Sequence, residues 1–110
     1  HFAGVFPLWL APVQVKVLPV NNEYHLDYAK EVTELLKDKG FKVELDAREE
    51  KLGYRIREGQ MDKVPYLLVL GNNERDEKTV TYRKHGEQKQ ITVPFDDFVA
   101  MLNQQIVDKK

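Results

Sequence analysis

An uninterrupted apolar run from Tyr66 to Leu70 lies between Pro65 and Gly71, and it constrains the fold more than any other segment. A strand with one solvated face alternates apolar and polar residues, whereas a strand buried on both faces is apolar throughout. Proline at one end and glycine at the other confine the run to the length of one strand. The run therefore predicts the central strand of a sheet.

Four other segments alternate apolar and polar residues with the period of two that is typical of strands. They are Val13 to Leu18, Phe41 to Leu45, Thr79 to Arg83 and Lys89 to Val93. The last two are connected through His85 and Gly86, which favours a β-hairpin and gives His85 a turn role rather than a catalytic one. The sequence thus predicts five strands.

Three segments carry apolar residues at helical spacing, at about 23 to 39, about 51 to 61, and from Pro94 onward. Asn21 and Asn22 offer a cap for the first helix, and Gly40 stands where a left-handed C-terminal cap belongs. The order is strand, helix, strand, helix, strand, hairpin, helix, with two crossovers of βαβ length. We predict an α/β fold with a five-stranded mixed sheet, three parallel strands plus an antiparallel hairpin, and three helices.

Residues 1–12 are rich in aromatic residues and interrupted by Gly4, Pro7 and Pro12. We interpret them as a linker from another domain, with residues 13–110 forming one domain of usual size. The alternative is an arm folded back on its own core. The linker interpretation predicts partly exposed apolar side chains, namely Phe2, Phe6, Trp9 and Leu10.

Composition excludes several chemistries. The 17 basic and 18 acidic residues nearly cancel, so any nucleic-acid binding must be local rather than driven by net charge. The chain has neither cysteine nor serine, which removes thiolate metal sites and serine or cysteine nucleophiles. The glycines form no phosphate-binding pattern, and the three histidines lack metal spacing, so we predict no metal site. No apolar run is long enough to span a bilayer.

Two loops follow parallel strands and are rich in amide and carboxylate groups. They are residues 19–22, which include Asn21, and residues 71–74, which include Glu74. In open α/β sheets, ligands bind beyond the carboxyl ends of the strands where the strand order reverses, and this reversal falls between the first and third strands. Ordinary turn chemistry is the alternative explanation, because asparagine and glycine belong in turns.

The segment Asp46 to Glu58 is dense in charged residues. In its helix, the basic residues Lys51, Arg55 and Arg57 surround a narrow apolar face, which predicts that most of the helix is solvated. The alternative is a basic and aromatic rim around an RNA loop, with Arg48, Lys51 and Tyr54 directed at phosphates or bases. Composition alone favours the solvated helix.

Three stretches closely resemble the C-terminal anticodon-binding domain of bacterial threonyl-tRNA synthetases. They are FPLWLAPVQV at 6–15, EKLGYRIRE at 50–58, and Val64-Pro65-Tyr66 through Gly71. The resemblance covers essentially the whole chain. Its most specific element is the first stretch, which resembles the exit from the catalytic domain of this synthetase in particular. The second is shared more loosely with prolyl, histidyl and glycyl synthetases.

The resemblance implies a module that binds the anticodon loop of tRNA(Thr) and reads its second and third bases, G and U. In the family pattern a glutamate after the central strand and an arginine ending the next strand face these bases, and here they match Glu74 and Arg83, which we place at the mouth of the crevice. The full set of candidate anticodon-binding residues is Glu74, Arg83, Asn21, Glu49, Arg48, Lys51, Tyr54 and Lys63.

The resemblance also implies a larger parent protein, of which this chain is a non-catalytic piece. Aminoacylation with ATP, magnesium, threonine and a zinc site would belong to the catalytic body, in a cytoplasmic homodimer. No cofactor is expected in this chain. The alternatives are an anticodon domain of a prolyl, histidyl or glycyl synthetase and a free-standing interaction domain that lost tRNA reading.

At one position the chain departs from the family, which often has an amide where this sequence has Glu49. An ionised carboxylate donates no hydrogen bond and repels phosphate. We predict that Glu49→Asn leaves binding of a threonine anticodon stem-loop unchanged or tightens it, as measured by fluorescence anisotropy. Weaker binding of the variant would show that the carboxylate has a partner of its own.

Overall fold

The computed structural model describes residues 8–87 and 89–108. Its elements alternate along the chain between strands and helices. In chain order they are a 3₁₀ turn Leu8–Leu10, β1 Val15–Pro19, α1 Asn22–Asp38, β2 Val43–Leu45, α2 Leu52–Met61, β3 Tyr66–Leu70, α3 Asn72–Glu77, β4 Thr79–Lys84, β5 Gln90–Pro94 and α4 Phe95–Asp108.

The five strands form one mixed sheet in the order β2-β1-β3-β4-β5. β1 pairs in parallel with both β2 and β3, while β4 pairs antiparallel with β3 and with β5. The predicted five-stranded mixed sheet is confirmed, and the apolar run is its central strand. Because β1 lies between β2 and β3, the strand order reverses between β1 and β3, as expected.

The three predicted helices are present, and the structure adds a fourth, the six-residue α3. The sequence suggested a loop there, because one and a half turns show no apolar periodicity. The helix begins after Gly71, whose backbone N–H donates to Oε1 of Glu74 at 2.7 Å. That bond satisfies one of the N–H groups that a helix start leaves without a partner.

Both predicted caps of α1 are confirmed. Oδ1 of Asn21 accepts from the backbone N–H of Glu23 at 2.7 Å and of Tyr24 at 3.3 Å. At the other end Gly40 adopts φ +93°, a conformation that side chains with a Cβ rarely take. The backbone N–H of Phe41 then donates to Leu36, closing a Schellman motif that fixes the turn into β2.

The main core lies on the face of the sheet that α1 and α4 cover, here called the α1/α4 face. Three rings pack at its centre: Tyr66 lies 5.7 Å from Tyr82 and 5.9 Å from Phe98, both edge to face. Gln105 donates to the Tyr66 hydroxyl at 2.6 Å, so the buried phenol is satisfied. This layer fixes α4 on the sheet, as the apolar spacing of that helix predicted.

The opposite face, here called the α2 face, has a smaller core of Leu18, Val64 and Leu67 beneath α2. Gly59 allows the close approach of helix and sheet, because a Cβ at this position would lie 2.6 Å from Cδ2 of Leu67. The α2 face thus depends on a short contact rather than on a broad apolar layer.

Arg55 is the largest fully buried side chain, with 2% of its surface exposed. The prediction that it belongs to the solvated basic surround of α2 is wrong. Its Nη1 donates to the backbone oxygen of Asp46 at 3.0 Å, and its Nε donates to that of Glu50 at 3.1 Å. The loop between β2 and α2 turns its carbonyls inward, and the guanidinium supplies the donors that these groups require.

The amino-terminal segment divides between core and solvent. Leu8 and Ala11 are buried, and Nε2 of the buried Gln14 donates to the backbone oxygen of Leu8 at 2.9 Å. Trp9 and Leu10 are 36% and 48% exposed, in line with the exposure predicted for them. Phe2 and Phe6 lie outside the described residues. That residues 1–12 link to another domain stays a prediction, and residues 8–11 already pack on this one.

We predict that Arg55→Ala lowers the free energy of unfolding by about 2–4 kcal/mol, because it leaves one buried and one partly buried carbonyl without these donors and opens a cavity. Urea denaturation followed by circular dichroism measures the change. Arg57→Ala, two residues along on the exposed side of α2, is the control and should change stability by at most about 0.5 kcal/mol. Equal losses in the two variants would contradict the structural role of Arg55.

Candidate nucleic-acid interface

The loops after β1 and β3 meet at the carboxyl edge of the sheet. The backbone N–H of Val20 donates to the oxygen of Leu70 at 2.9 Å, which joins the loop after β1 to the end of β3. His25 joins them again: its Nδ1 accepts from the Asn21 backbone at 3.0 Å, and its Nε2 lies 2.6 Å from Oδ1 of Asn72. Because Nδ1 accepts, the ring proton is on Nε2, which donates to the amide oxygen.

His25 is a residue that sequence reasoning missed. The sequence gives this histidine no second ligand at metal spacing, so it does not stand out as a metal ligand. Its place in the helical pattern was the available signal, because it precedes Tyr28, Ala29 and Val32 at the spacing of the buried face of α1. A histidine on that face must find partners, and it finds them on two neighbouring loops.

The loop after β2 lies against the same edge. Nδ2 of Asn22 donates to the backbone oxygens of Ala47 and of Arg48, the latter at 3.2 Å. A polar cleft of about 300 Å³ opens between this loop and the start of α1. Its lining comes from both loops and from α2: Val20, Asn21, Asn22, Glu23, Arg48, Glu49, Glu50 and Arg55. The carboxyl edge is therefore a hydrogen-bonded assembly of three loops.

Arg48 is held by two carboxylates at the rim of this cleft. It binds Asp46 through Nε at 2.8 Å and Nη2 at 2.9 Å, and Nη2 also lies 2.5 Å from Oε1 of Glu58. The Tyr54 ring centroid lies 6.0 Å from its guanidinium carbon. Hydrogen bonds from Arg48 and Tyr54 lower the pKa of Glu58. Most of the charge of Arg48 is thus balanced within the domain.

Asp46 is buried beneath this pair and also lies 4.0 Å from Nζ of the buried Lys16. Burial by itself raises the pKa of the Asp46 carboxyl, but the hydrogen bonds and charge of Arg48, with a smaller contribution from Lys16, lower it below its ordinary value. The carboxylate form is therefore the one that holds the loop after β2.

The structure brings most of the candidate residues together and separates two, Lys63 and Arg83. Asn21, Arg48 and Glu49 line the cleft. Lys51 stands beside it at the N-cap position of α2, without a side-chain capping bond, and Tyr54 in the first turn is 46% exposed. Lys63 follows the end of α2 and precedes β3, so it lies toward the amino end of the parallel strands. The roles of these residues toward RNA stay predictions.

Glu74 and Arg83 lie on the α2 face but not at the same depth. Glu74, in α3, is at the carboxyl edge, where both of its oxygens accept bonds from within the domain, from Gly71 and from Thr81. Arg83 pairs with Leu67 on β3, so it lies two residues, or about 7 Å, beyond Thr81 on the same side of β4. Arg83 thus belongs to the sheet surface rather than to the mouth of the crevice.

The β4–β5 part of the α2 face is open to solvent. Arg83 is partly exposed, and the cross-strand residue Gln90 and the next residue on that side of β5, Thr92, are exposed. Among residues 8–87 and 89–108, no three histidine or acidic side chains cluster as metal ligands would. No helix in the described part of the chain is long and apolar enough to cross a membrane.

The sequence of this chain matches the model of a known family. Residues 14–105 match the model described as "Anticodon binding domain", and the chain belongs to this family. The resemblance drawn from the three sequence stretches is also confirmed. The threonine–tRNA ligase of Geobacillus kaustophilus is 51% identical over 110 residues, all of this chain and 17% of the relative. That of Bacillus velezensis is 57% identical over 96 residues, 87% of this chain and 15% of the relative.

A solved structure gives the same result for the fold. The RNA binding domain of threonyl-tRNA synthetase from Cryptosporidium parvum superimposes with a TM-score of 0.90 at 32% identity, over 96% of this chain and 26% of that chain. The chain spans about one sixth of the length of the curated ligases that it matches.

The lowered pKa of Asp46 predicts an acid-sensitive loop. A carboxyl whose pKa is lower in the folded than in the unfolded state stabilises the fold above the unfolded value of 3.8. That stability is lost as the pH falls through the folded value. Asp46→Asn should therefore be less stable at pH 7 than the unsubstituted chain, here called the parent chain. It should also lose less stability as the pH falls from 5 through the folded pKa of Asp46, as measured by urea denaturation.

The control is Asp27→Asn on the exposed side of α1, which should retain the pH profile of the parent chain. An Asp46→Asn profile parallel to that of the parent chain would show that the carboxylate does not hold the loop.

Proposed function

We propose that this chain is the module of a threonine–tRNA ligase that reads the anticodon loop of tRNA(Thr). The observation that carries the proposal is identity of about one half to threonine–tRNA ligases over the full length of the chain. The family model alone is described only as an anticodon binding domain, so the choice of threonine depends on these relatives.

The open surface has the chemistry that a single-stranded RNA loop requires. Unstacked bases bind to aromatic rings and to side chains that hydrogen-bond their edges. Tyr54 offers an exposed ring at the rim of the cleft, and the partly exposed Arg83 places a guanidinium on the open sheet face. A net charge of −1 leaves little long-range attraction, so affinity must come from these local contacts.

The remaining functions are assigned to the rest of the parent ligase. Attachment of threonine with ATP, magnesium and zinc belongs to a catalytic body, and the parent is a homodimer of the cytoplasm. This chain contributes recognition without a cofactor. Trp9 and Leu10, both partly exposed, are the side chains through which the module contacts the catalytic domain.

Arg83→Ala tests the reading surface. A guanidinium that pairs with the O6 and N7 acceptors of guanine contributes about 1–3 kcal/mol of discrimination. The variant should lose that preference for a threonine anticodon stem-loop over one with a changed middle base, as measured by isothermal titration calorimetry. Thermal stability should change little, because Arg83 lies on the open face.

Lys84→Ala is the matched control, since the adjacent residue of a strand points to the opposite face and carries the same charge. This variant should weaken the binding of all stem-loops slightly and to the same extent. If Arg83→Ala also weakens the binding of all stem-loops to the same extent, then Arg83 binds phosphate rather than a base. Failure of the parent chain to prefer the threonine loop would overturn the proposed function.

A further inference from the structure

A chain of three hydrogen-bonded side chains crosses the α2 face from the carboxyl edge to solvent. Glu74 starts it, with Oε1 held by the Gly71 backbone at 2.7 Å. Oε2 of Glu74 lies 2.7 Å from Oγ1 of Thr81. Oγ1 of Thr81 lies 2.6 Å from Oγ1 of its cross-strand partner Thr92, which is exposed. The chain thus connects a residue of α3 to the open surface of β5.

Counting protons fixes the direction of every bond in this chain. An ionised carboxylate only accepts, so Thr81 must donate its single hydroxyl proton to Glu74. Thr81 then has no proton left for Thr92, so Thr92 must donate to Thr81. The proton of Thr92 points inward, and its oxygen offers only lone pairs to solvent. The surface end of the chain is therefore an obligate acceptor.

This acceptor lies beside the donors of Arg83. Thr92 pairs directly with Thr81, and Arg83 pairs with Gln90 two residues along, so Arg83 and Thr92 are diagonal neighbours on one face. Diagonal neighbours are separated by about 7–8 Å, within reach of a long side chain. The open face consequently places the partly exposed Arg83 guanidinium and a fixed acceptor within the span of one or two bases.

We infer that Thr92 is a specificity-determining residue of this surface, accepting an imino N–H from the anticodon loop, with its polarity set by Glu74 through Thr81. The inference rests on the proposed function. Guanine N1 and uracil N3 carry such a proton, whereas adenine N1 and cytosine N3 present a lone pair at the same position. A lone pair facing the Thr92 acceptor is repelled, so the surface favours G over A or U over C.

A purely structural role predicts something different. Threonine pairs across antiparallel strands stabilise a hairpin whatever lies outside. In that case changing Thr92 would lower stability and affect all RNA loops alike. The discriminating measurement is therefore the ratio of affinities between loops rather than affinity for one loop.

The experiment titrates this chain with the threonine anticodon stem-loop and with two altered loops, one with the middle G changed to A and one with the third U changed to C. Thr92→Val keeps the side-chain shape and removes the acceptor. It should reduce discrimination at one of the two positions about tenfold, the ratio that one hydrogen bond contributes. Thr92→Ser keeps the hydroxyl and should retain the discrimination of the parent chain.

Glu74→Gln supplies a second, sharper test. The amide oxygen must still face the Gly71 N–H, so the amide NH₂ turns to Thr81 and donates to it. Thr81 then donates to Thr92, and the proton of Thr92 turns outward. The variant should lose or invert the preference at the position that Thr92→Val affects, while its thermal unfolding stays close to that of the parent chain.

Retention of the parent discrimination at both positions by Thr92→Val or by Glu74→Gln would overturn this inference. If Arg83→Ala loses the middle-base preference in the same assay, the proposed function still stands. If the parent chain shows no preference among the three loops, both fail together.

Discussion

The loop between β2 and α2 turns its backbone carbonyls toward the interior, and satisfying them is the constraint on which the functional edge depends. Arg55, in α2, donates hydrogen bonds to two of these carbonyls. Its guanidinium is buried as a result, and desolvation lowers the pKa of Arg55. With the loop fixed, Asp46 can hold Arg48 and Asn22 can bind the loop to α1. Arg55 thus holds the loop from within and also lines the cleft.

Most of the fold was predictable because the dominant forces act locally or repeat regularly. The apolar run of β3, the alternation of the other strands and the caps of α1 each report on burial or backbone geometry within a few residues. The sequence did not predict α3, because a helix of six residues is too short to show an apolar period. The burial of Arg55 was not predictable, because its partners are backbone carbonyls of a loop. Sequence patterns contain no information on the direction of those carbonyls.

The location of the site was predictable from the sequence, whereas the availability of its side chains to a ligand was less predictable. The meeting of the loops after β1 and β3 follows from strand order alone, and the structure shows it. How much of each side chain remains available for a ligand depends on tertiary partners. Asn21 and Glu74 cap helices, and Arg48 is neutralised by two acids, so three candidates are largely committed within the domain. Thr81 and Thr92 gave no signal in sequence, because the hydrogen bond between them arises from cross-strand register.

Gln14 connects the amino-terminal segment to the sheet. Its amide nitrogen donates to the oxygen of Leu8, and its amide oxygen accepts from the backbone N–H of Lys42 at 2.8 Å, next to β2. One side chain therefore connects the incoming segment to the far edge of the sheet. A pull on that segment loads these two bonds in series and passes into the parallel strands.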